Sequence, residues 1–302
     1  MRGVNPASAP LSRRFFIEEV QPVVKRALGG TGYLAARPGS GSDVLGFDDE
    51  LSTDHDFGCR LTLLLDDESG HMVDVLDQRL EADLPEQFAG HSVRFATTWD
   101  PRVRHKIGIH TVHDFATSRL GVDLRTTPTA REWLCLTGQS ILEVTGGPVF
   151  HDTTVSYRRT VETLRWYPDD VWCYVLASAW TRLSQELPFV GRAGQLRDDV
   201  GSRIITARLS RDLVHLAFLV ERAWWPYPKW ANTALLSLPV GTGLTHSLQR
   251  AATADAWQGR QEALSSAIEL LADRQRRVGL PTPEAAVIPS STDPSSPPPS
   301  NS

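Results

Sequence analysis

The apolar periodicity of this chain changes character near residue 128, and that change restricts the fold more than any single motif. Before it, short apolar runs alternate with turn residues; after it, apolar side chains recur at helical spacing over long stretches with few strand signals. The expected fold is therefore α+β, with a small mixed sheet in the first part and an α-helical bundle in the second. The expected boundaries are an α/β domain over 14–127, a helical domain over 128–280, and a tail over 281–302. That tail holds seven prolines and six serines in 22 residues, too little apolar surface to offset ordering entropy, so disorder is expected there.

Within the first part, Phe15, Ile17, Val20, Val23, Val24 and Leu28 predict a helix over 14–28 that Gly29-Gly30 stops. A strand over 33–36 leads into a Gly-Ser turn, and a buried strand is expected over 55–65, followed by an exposed turn over 66–70. A helix over 72–88 and strands over 92–98 and 106–112 complete this half. In the second half, Trp133, Leu136, Ile141 and Leu142 precede a break at Gly146-Gly147; Asp169 suits a helix cap, and long helices are expected over 195–223 and 253–277.

Composition narrows the function classes. Hydrophobic content of 41%, charged content of 22% and a formal charge of −5 describe an ordinary globular chain without the basic footprint of a nucleic-acid binder. Cys59, Cys135 and Cys173 follow no zinc or redox spacing, which suits free thiols in a reducing compartment. No run of 18 apolar residues occurs and the N-terminus lacks an apolar leader core, so a cytoplasmic protein with no membrane partner is expected.

The chemistry concentrates in residues 39–58. The turn Gly39-Ser40-Gly41-Ser42 offers glycines that let backbone approach phosphate, with N–H and hydroxyl donors for anionic oxygens. Asp54 and Asp56 stand at i and i+2, so on a strand both project from one face while His55 points away. Two such carboxylates suit a pair of Mg2+ ions and the oxygens of a nucleoside triphosphate, the requirements of phosphoryl or nucleotidyl transfer. An EF-hand calcium loop is excluded, because Leu65 stands twelfth from Asp54 where that loop needs glutamate. Asp48 and Asp49 read as turn and capping residues, and Asp74 and Asp77 as solvated helix positions.

Gly41-Ser42, eleven intervening residues and Asp54-His55-Asp56 resemble the signature of the DNA polymerase β-like nucleotidyltransferase superfamily. The sequence further resembles an uncharacterised bacterial family, the domain of unknown function DUF4037. Three segments carry this: Gly-Ser-Asp-Val-Leu-Gly-Phe-Asp-Asp with Asp-His-Asp-Phe-Gly, then Phe189-Val-Gly-Arg192, then Pro226-Tyr-Pro-Lys-Trp230. The resemblance implies a nucleotidyltransferase sheet domain followed by helices. It also implies Mg2+ on Asp54 and Asp56, a triphosphate (ATP is expected) cradled by Gly41 and Ser42, and a small-molecule or protein acceptor. Superfamily enzymes usually place a third acid on a neighbouring strand, but Lys106-Ile-Gly-Ile-His110 presents Gly108 and His110 instead. His110 is a candidate base, with a surface histidine as the alternative. A nucleotide-binding regulator with impaired turnover is therefore the competing expectation.

Basic residues from the helical half are candidates for the phosphates. Lys229 is one of only three lysines among 31 basic residues, and Pro226 and Pro228 make a rigid corner beside it. The alternative is that Trp224, Trp225, Tyr227 and Trp230 pack a helix junction with Lys229 at its rim. Arg192 is a second candidate, since glycine beside arginine suits a loop facing a ligand. Arg203, Arg208 and Arg211 are expected on a solvated helix face or paired with Asp198, Asp199 and Asp212.

Overall fold

The computed structural model describes residues 8–40, 44, 46, 58–97 and 100–282. Much of 41–57 lies outside it, as does all of the tail from residue 283. Two compact units form: the described residues up to Val171 together with Trp224–Trp230, and Trp172–Ala223 together with the described residues from Ala231. No described helix is long and apolar enough to cross a membrane.

The first unit opens on α1 (Ser8–Phe15), a π-helical turn over Phe16–Val20, and α2 (Gln21–Leu28). The π turn adds residues to one helical turn and so changes the phase of the apolar stripe. Phe15, Phe16, Val20, Val23 and Val24 are consequently buried, whereas Ile17, which the uniform 3.6-residue period put on the buried face, is 50% exposed. Gly29, at φ +61°, ends α2 as expected.

The strands are β1 (Tyr33–Ala36), β2 (Arg60–Leu65), β3 (Gln87–Phe88), β4 (His91–Ser92), β5 (Arg94–Phe95), β6 (Arg104–Thr111) and β7 (Val149–Asp152). Five of them make one mixed sheet in the order β5-β6-β2-β1-β7, in which β2 and β6 are parallel and the other pairs antiparallel. The crossover from β2 to β6 runs through α3 (Val73–Asp83). Tyr33, Ala35, Leu61, Leu63, Leu65, Ile107 and Ile109 alternate onto one face and join the buried side chains of α1 to α3 in a single core. The opposite face carries Leu34, Ala36, Thr62, Leu64, Gly108 and His110, with α4 (Val112–Leu120) packed on it.

Three details differ from the sequence reading. The segment 92–98 is no continuous strand but the short β4 and β5, because the Arg94 guanidinium turns in to the Glu81 carboxylate and the Leu84 and Pro85 carbonyls. Asp77 is half-buried and engaged: it pairs with Arg104 and lies 3.4 Å from the buried His105 ring. Residues 128–171, expected with the later helices, pack with the sheet, because β7 adds its last strand along β1. That stretch also forms α5 (Ala130–Cys135), α6 (Gly138–Thr145) and α7 (Ser156–Thr163). Val155 at the start of α7 has no capping side chain; Asp66, at the end of β2, instead accepts the Val155 and Ser156 N–H groups at 3.1 and 2.9 Å.

The second unit is helical, as expected: most of α8 (Asp169–Gln195), α9 (Asp199–Val220), most of α10 (Pro228–Leu235), α11 (Gly241–Thr253) and α12 (Trp257–Arg277). Leu213, Leu216, Leu244, Leu264, Ile268 and Leu271 form its interior. The buried Arg260 guanidinium joins Asp199 and Ser202 of α9 to the carbonyls of Ala254 and Asp255 after α11.

Candidate functional site

The candidate site belongs to one end of the sheet in the first unit. β1 and β2 are antiparallel neighbours with Ala36 paired to Thr62, so the chain leaves β1 and enters β2 at the same end. The leaving chain is held by backbone: Arg37 N–H donates to Pro148 O at 3.0 Å and Gly39 N–H to Glu143 O at 2.9 Å. Gly39 itself takes φ +118°. Opposite stands Gly147 at φ +93°, where a Cβ would fall inside 3.0 Å of the Arg37 carbonyl oxygen and 3.3 Å from Val44 Cγ1. Only glycine fits that position, for conformation and for space alike. The entering chain passes Gly58, whose Cα faces the Phe95 ring, and Cys59, whose thiol is fully buried and pushed up to about 11 by desolvation.

Gly41, Ser42, Asp54 and Asp56 lie outside the described residues. The described chain on either side of them, at Gly39, Val44 and Gly58, is at this end of the sheet. Here too is the N-terminal end of β6, where Lys106 pairs with Arg60 across the parallel ladder. The Lys106 ammonium donates to the Asp100 carboxylate at 3.0 Å and the Arg102 carbonyl at 2.9 Å. Arg102 and Lys106 together hold the Asp100 carboxyl well below the usual carboxylate range.

The structure does not bring His110 to this end. It pairs with Leu64, four residues along β2 from Arg60, or about 13 Å at strand rise. Its ring centre lies 5.9 Å from that of Phe115, and desolvation followed by the charge of Arg119 lowers its pKa. There it lines a separate cleft of about 520 Å³ with Asp67, Asp74, His113, Asp114 and Arg125. Asp74 and Asp114 sit in first helical turns and Asp67 accepts the His113 N–H, placements that helix termini favour on their own. Among the described residues no group of three histidine, cysteine or acidic side chains is placed to hold a metal.

Lys229 lies in the same unit as the sheet, exposed, with Nζ 4.9 Å from the centre of the Trp230 ring. The corner before it is anchored throughout: Trp224 Nε1 donates to Leu164 O at 2.9 Å, and Tyr227 N–H to Gln139 Oε1 at 3.1 Å. Trp166, Tyr167 and Trp224 pack edge-on and tilted at centroid distances of 4.5 to 5.2 Å, so the packed junction exists whatever Lys229 does. Arg192 does not stand in a loop. Phe189 to Arg192 lie inside α8, and Gly191 and Gly194 are there because the Trp257 ring crosses them at contact distance. Of the arginines expected on a solvated face, Arg203 pairs with Asp199, Arg208 with Glu186 and Arg211 with Asp212. Sequence reasoning missed Gly147, Glu143 and Gln139; the one available signal, Gly146-Gly147, was accounted for as a helix break.

Fold and site anchors together define an α+β protein whose small mixed sheet carries a Gly-Ser turn after one central strand and an acid-x-acid segment before the next. Residues 133–231 match the family model described as Domain of unknown function (DUF4037). The match runs from Trp133 of α5 through the 224–230 corner and includes two of the three motifs that carry the resemblance. Among solved structures, the chain is similar to a nucleotidyltransferase-like protein from Exiguobacterium sibiricum, with 12% identity and a TM-score of 0.36 over 88% of this chain and 75% of that one. That likeness is too slight to assign a role to any residue. No curated protein matches the sequence.

Proposed function

We propose that the protein binds a nucleoside triphosphate with magnesium and transfers its nucleoside monophosphate to a hydroxyl of a small-molecule or protein acceptor, releasing pyrophosphate. The observation that supports this reading is the antiparallel adjacency of β1 and β2, which brings Gly39, two residues before Gly41-Ser42, and Gly58, two residues after Asp56, to one end of the sheet. Asp54 and Asp56 are hard oxygen donors, the set that Mg2+ takes, and they are the residues that would hold it. When bound, the metal would neutralise charge developing on the phosphates. Gly41 and Ser42 would donate to the β and γ phosphates, and Lys229 is the basic residue assigned to them. In the transfer, the acceptor oxygen forms a bond to the α phosphorus as the bond from that phosphorus to the α–β bridging oxygen breaks.

A second reading has its own support. The face of β6 next to β2 carries Lys106, Gly108 and His110 and no carboxylate, and Lys106 is occupied by Asp100. A nucleotide-binding regulator with little turnover suits that face. Titration calorimetry with Mg·ATP, run beside a pyrophosphate-release assay on wild type and Asp54→Ala, separates the two. Binding and release both lost in the variant support the transferase; binding without release in wild type supports the regulator. Equal Mg·ATP binding by wild type and Asp54→Ala removes both.

A further inference from the structure

We propose that the outer face of the α8–α9 pair docks a helix of another protein, one whose aliphatic stripe is flanked by carboxylates. α9 buries Ser202, Thr206, Leu209 and Leu213 in the interior of the second unit. At 3.6 residues per turn, Val200 and Ile204 each stand about 160° from Ser202, one on either side, and so point away from that interior. Charged side chains are expected there, yet Val200 is 68% and Ile204 64% exposed. Leu196, in the turn between the helices, is 82% exposed, and Phe189, seven residues earlier, is 41% exposed. Leu196 N–H still donates to Arg192 O at 3.2 Å, which keeps Leu196 in helical phase with Phe189. Ion pairs across the seam join the two rows. Arg182, seven residues before Phe189, lies 3.9 Å from Asp212 of α9, and Arg208, four after Ile204, lies 2.6 Å from Glu186 of α8.

Charge at the rim selects the partner. The Arg192 guanidinium lies 5.5 Å from the centre of the Phe189 ring, and Arg197 ends the turn at φ +61°. Neither has a carboxylate partner among the described residues. The acids beside them are engaged: Asp198 accepts Gly201 N–H at 2.8 Å, Asp199 holds Arg203 and Arg260, and Glu186 holds Arg208. The stripe therefore carries surplus positive charge in a chain whose formal charge is −5. Such a rim attracts carboxylates and repels a basic partner. A second copy presenting this face would bring further unpaired arginines and no unengaged carboxylate to meet them. Two helices side by side offer a groove and no strand edge, which suits a docked helix with anchors at i, i+4 and i+7.

Amide chemical shifts of the full chain, recorded with two synthetic helices at about 0.15 M salt, test this. Each helix is about 18 residues long with leucines at i, i+4 and i+7; one carries glutamates beside them and the other lysines. The glutamate helix should shift the Leu196, Val200 and Ile204 amides, leave those of the buried Leu213 and Leu216 in place, and bind roughly tenfold tighter than the lysine helix. Arg192→Glu with Arg197→Glu should reverse that preference and leave the thermal melt unchanged, since both side chains are exposed. Ile204→Asp should lose the glutamate helix. Equal binding of both helices, or of neither, would overturn the proposal. So would a concentration-dependent dimer in sedimentation that Ile204→Asp disperses, because the face would then belong to a second copy. Shifts seen only with phosphatidylglycerol vesicles would overturn it in favour of a lipid surface.

Discussion

Arg260→Met is the most direct probe of the helical unit. The Arg260 side chain is 1% exposed and makes five hydrogen bonds: one to the Asp199 carboxylate, two to Ser202 Oγ at 3.1 and 3.3 Å, and one each to the Ala254 and Asp255 carbonyls at 3.1 Å. Methionine keeps the apolar stem but leaves the buried Ser202 hydroxyl and the two carbonyls that follow α11 without this donor. Asp199 is half exposed and keeps Arg203 at 2.7 Å, so it adds little to the cost. A buried group stripped of its hydrogen bond costs about 1–3 kcal/mol; Ser202 falls within that range and the less buried carbonyls at its lower edge, which sums to about 3 kcal/mol. Unfolding in urea, followed by circular dichroism at 222 nm, should show the midpoint of the helical unit lowered by roughly 1.5 M for a slope of about 2 kcal/mol/M. A loss under about 1 kcal/mol would refute the reasoning, because it would mean that water or a rotated side chain satisfies these acceptors.

Further outcomes are expected. Burial first, and the charges of Arg211 and Arg182 next, push His215 down to about 4; because the unfolded histidine then binds a proton more readily, its contribution is complete above about pH 6.5 and is lost as pH falls toward 4. The loss is about 3 kcal/mol, and His215→Gln should shrink the stability difference between pH 7.5 and pH 4.5 by that order in urea titrations; an unchanged difference would contradict the burial argument. Asp66→Ala removes the cap of α7 from 89 residues away in sequence and should cost about 1–2 kcal/mol in a thermal melt, with Asp66→Asn recovering part of it. Lys229→Met should weaken Mg·ATP binding roughly tenfold by calorimetry while leaving the melting curve unchanged, since its exposed ammonium lies over the Trp230 ring and has no ion pair among the described residues; equal affinity would return Lys229 to the rim of the aromatic packing.

Much of this fold was legible from local pattern. β1 came out at its expected bounds, β6 within two residues, and the change to long helices was visible as periodicity. The missing elements share a physical cause. β7 is four residues long, with Val149 exposed and the others half-buried, and it becomes a strand only because β1 offers it an unpaired edge. Ile17 left the core because a π turn shifted the phase of a helix whose composition gives no sign of it. Phe189-Val-Gly-Arg192 reads as a ligand loop because glycine beside arginine is common there, yet its glycine is explained by an indole ring that arrives from 66 residues further along.

By itself, the sequence determined what depends on neighbours along the chain: which segments are helical or extended, where the Gly-Ser turn and the two aspartates stand, and that the basic footprint of a nucleic-acid binder is absent. Only the tertiary structure decided that β1 and β2 are adjacent, so that Gly39 and Gly58 stand at one end of the sheet, and that His110 is at the other end. It also decided that Gly138 and Gly147 are contacts between backbones and not merely interruptions of a helix. The reason is that strand pairing and close backbone approach are set by partners distant in sequence, and a short segment carries its own propensity but not the identity of the surface it will meet.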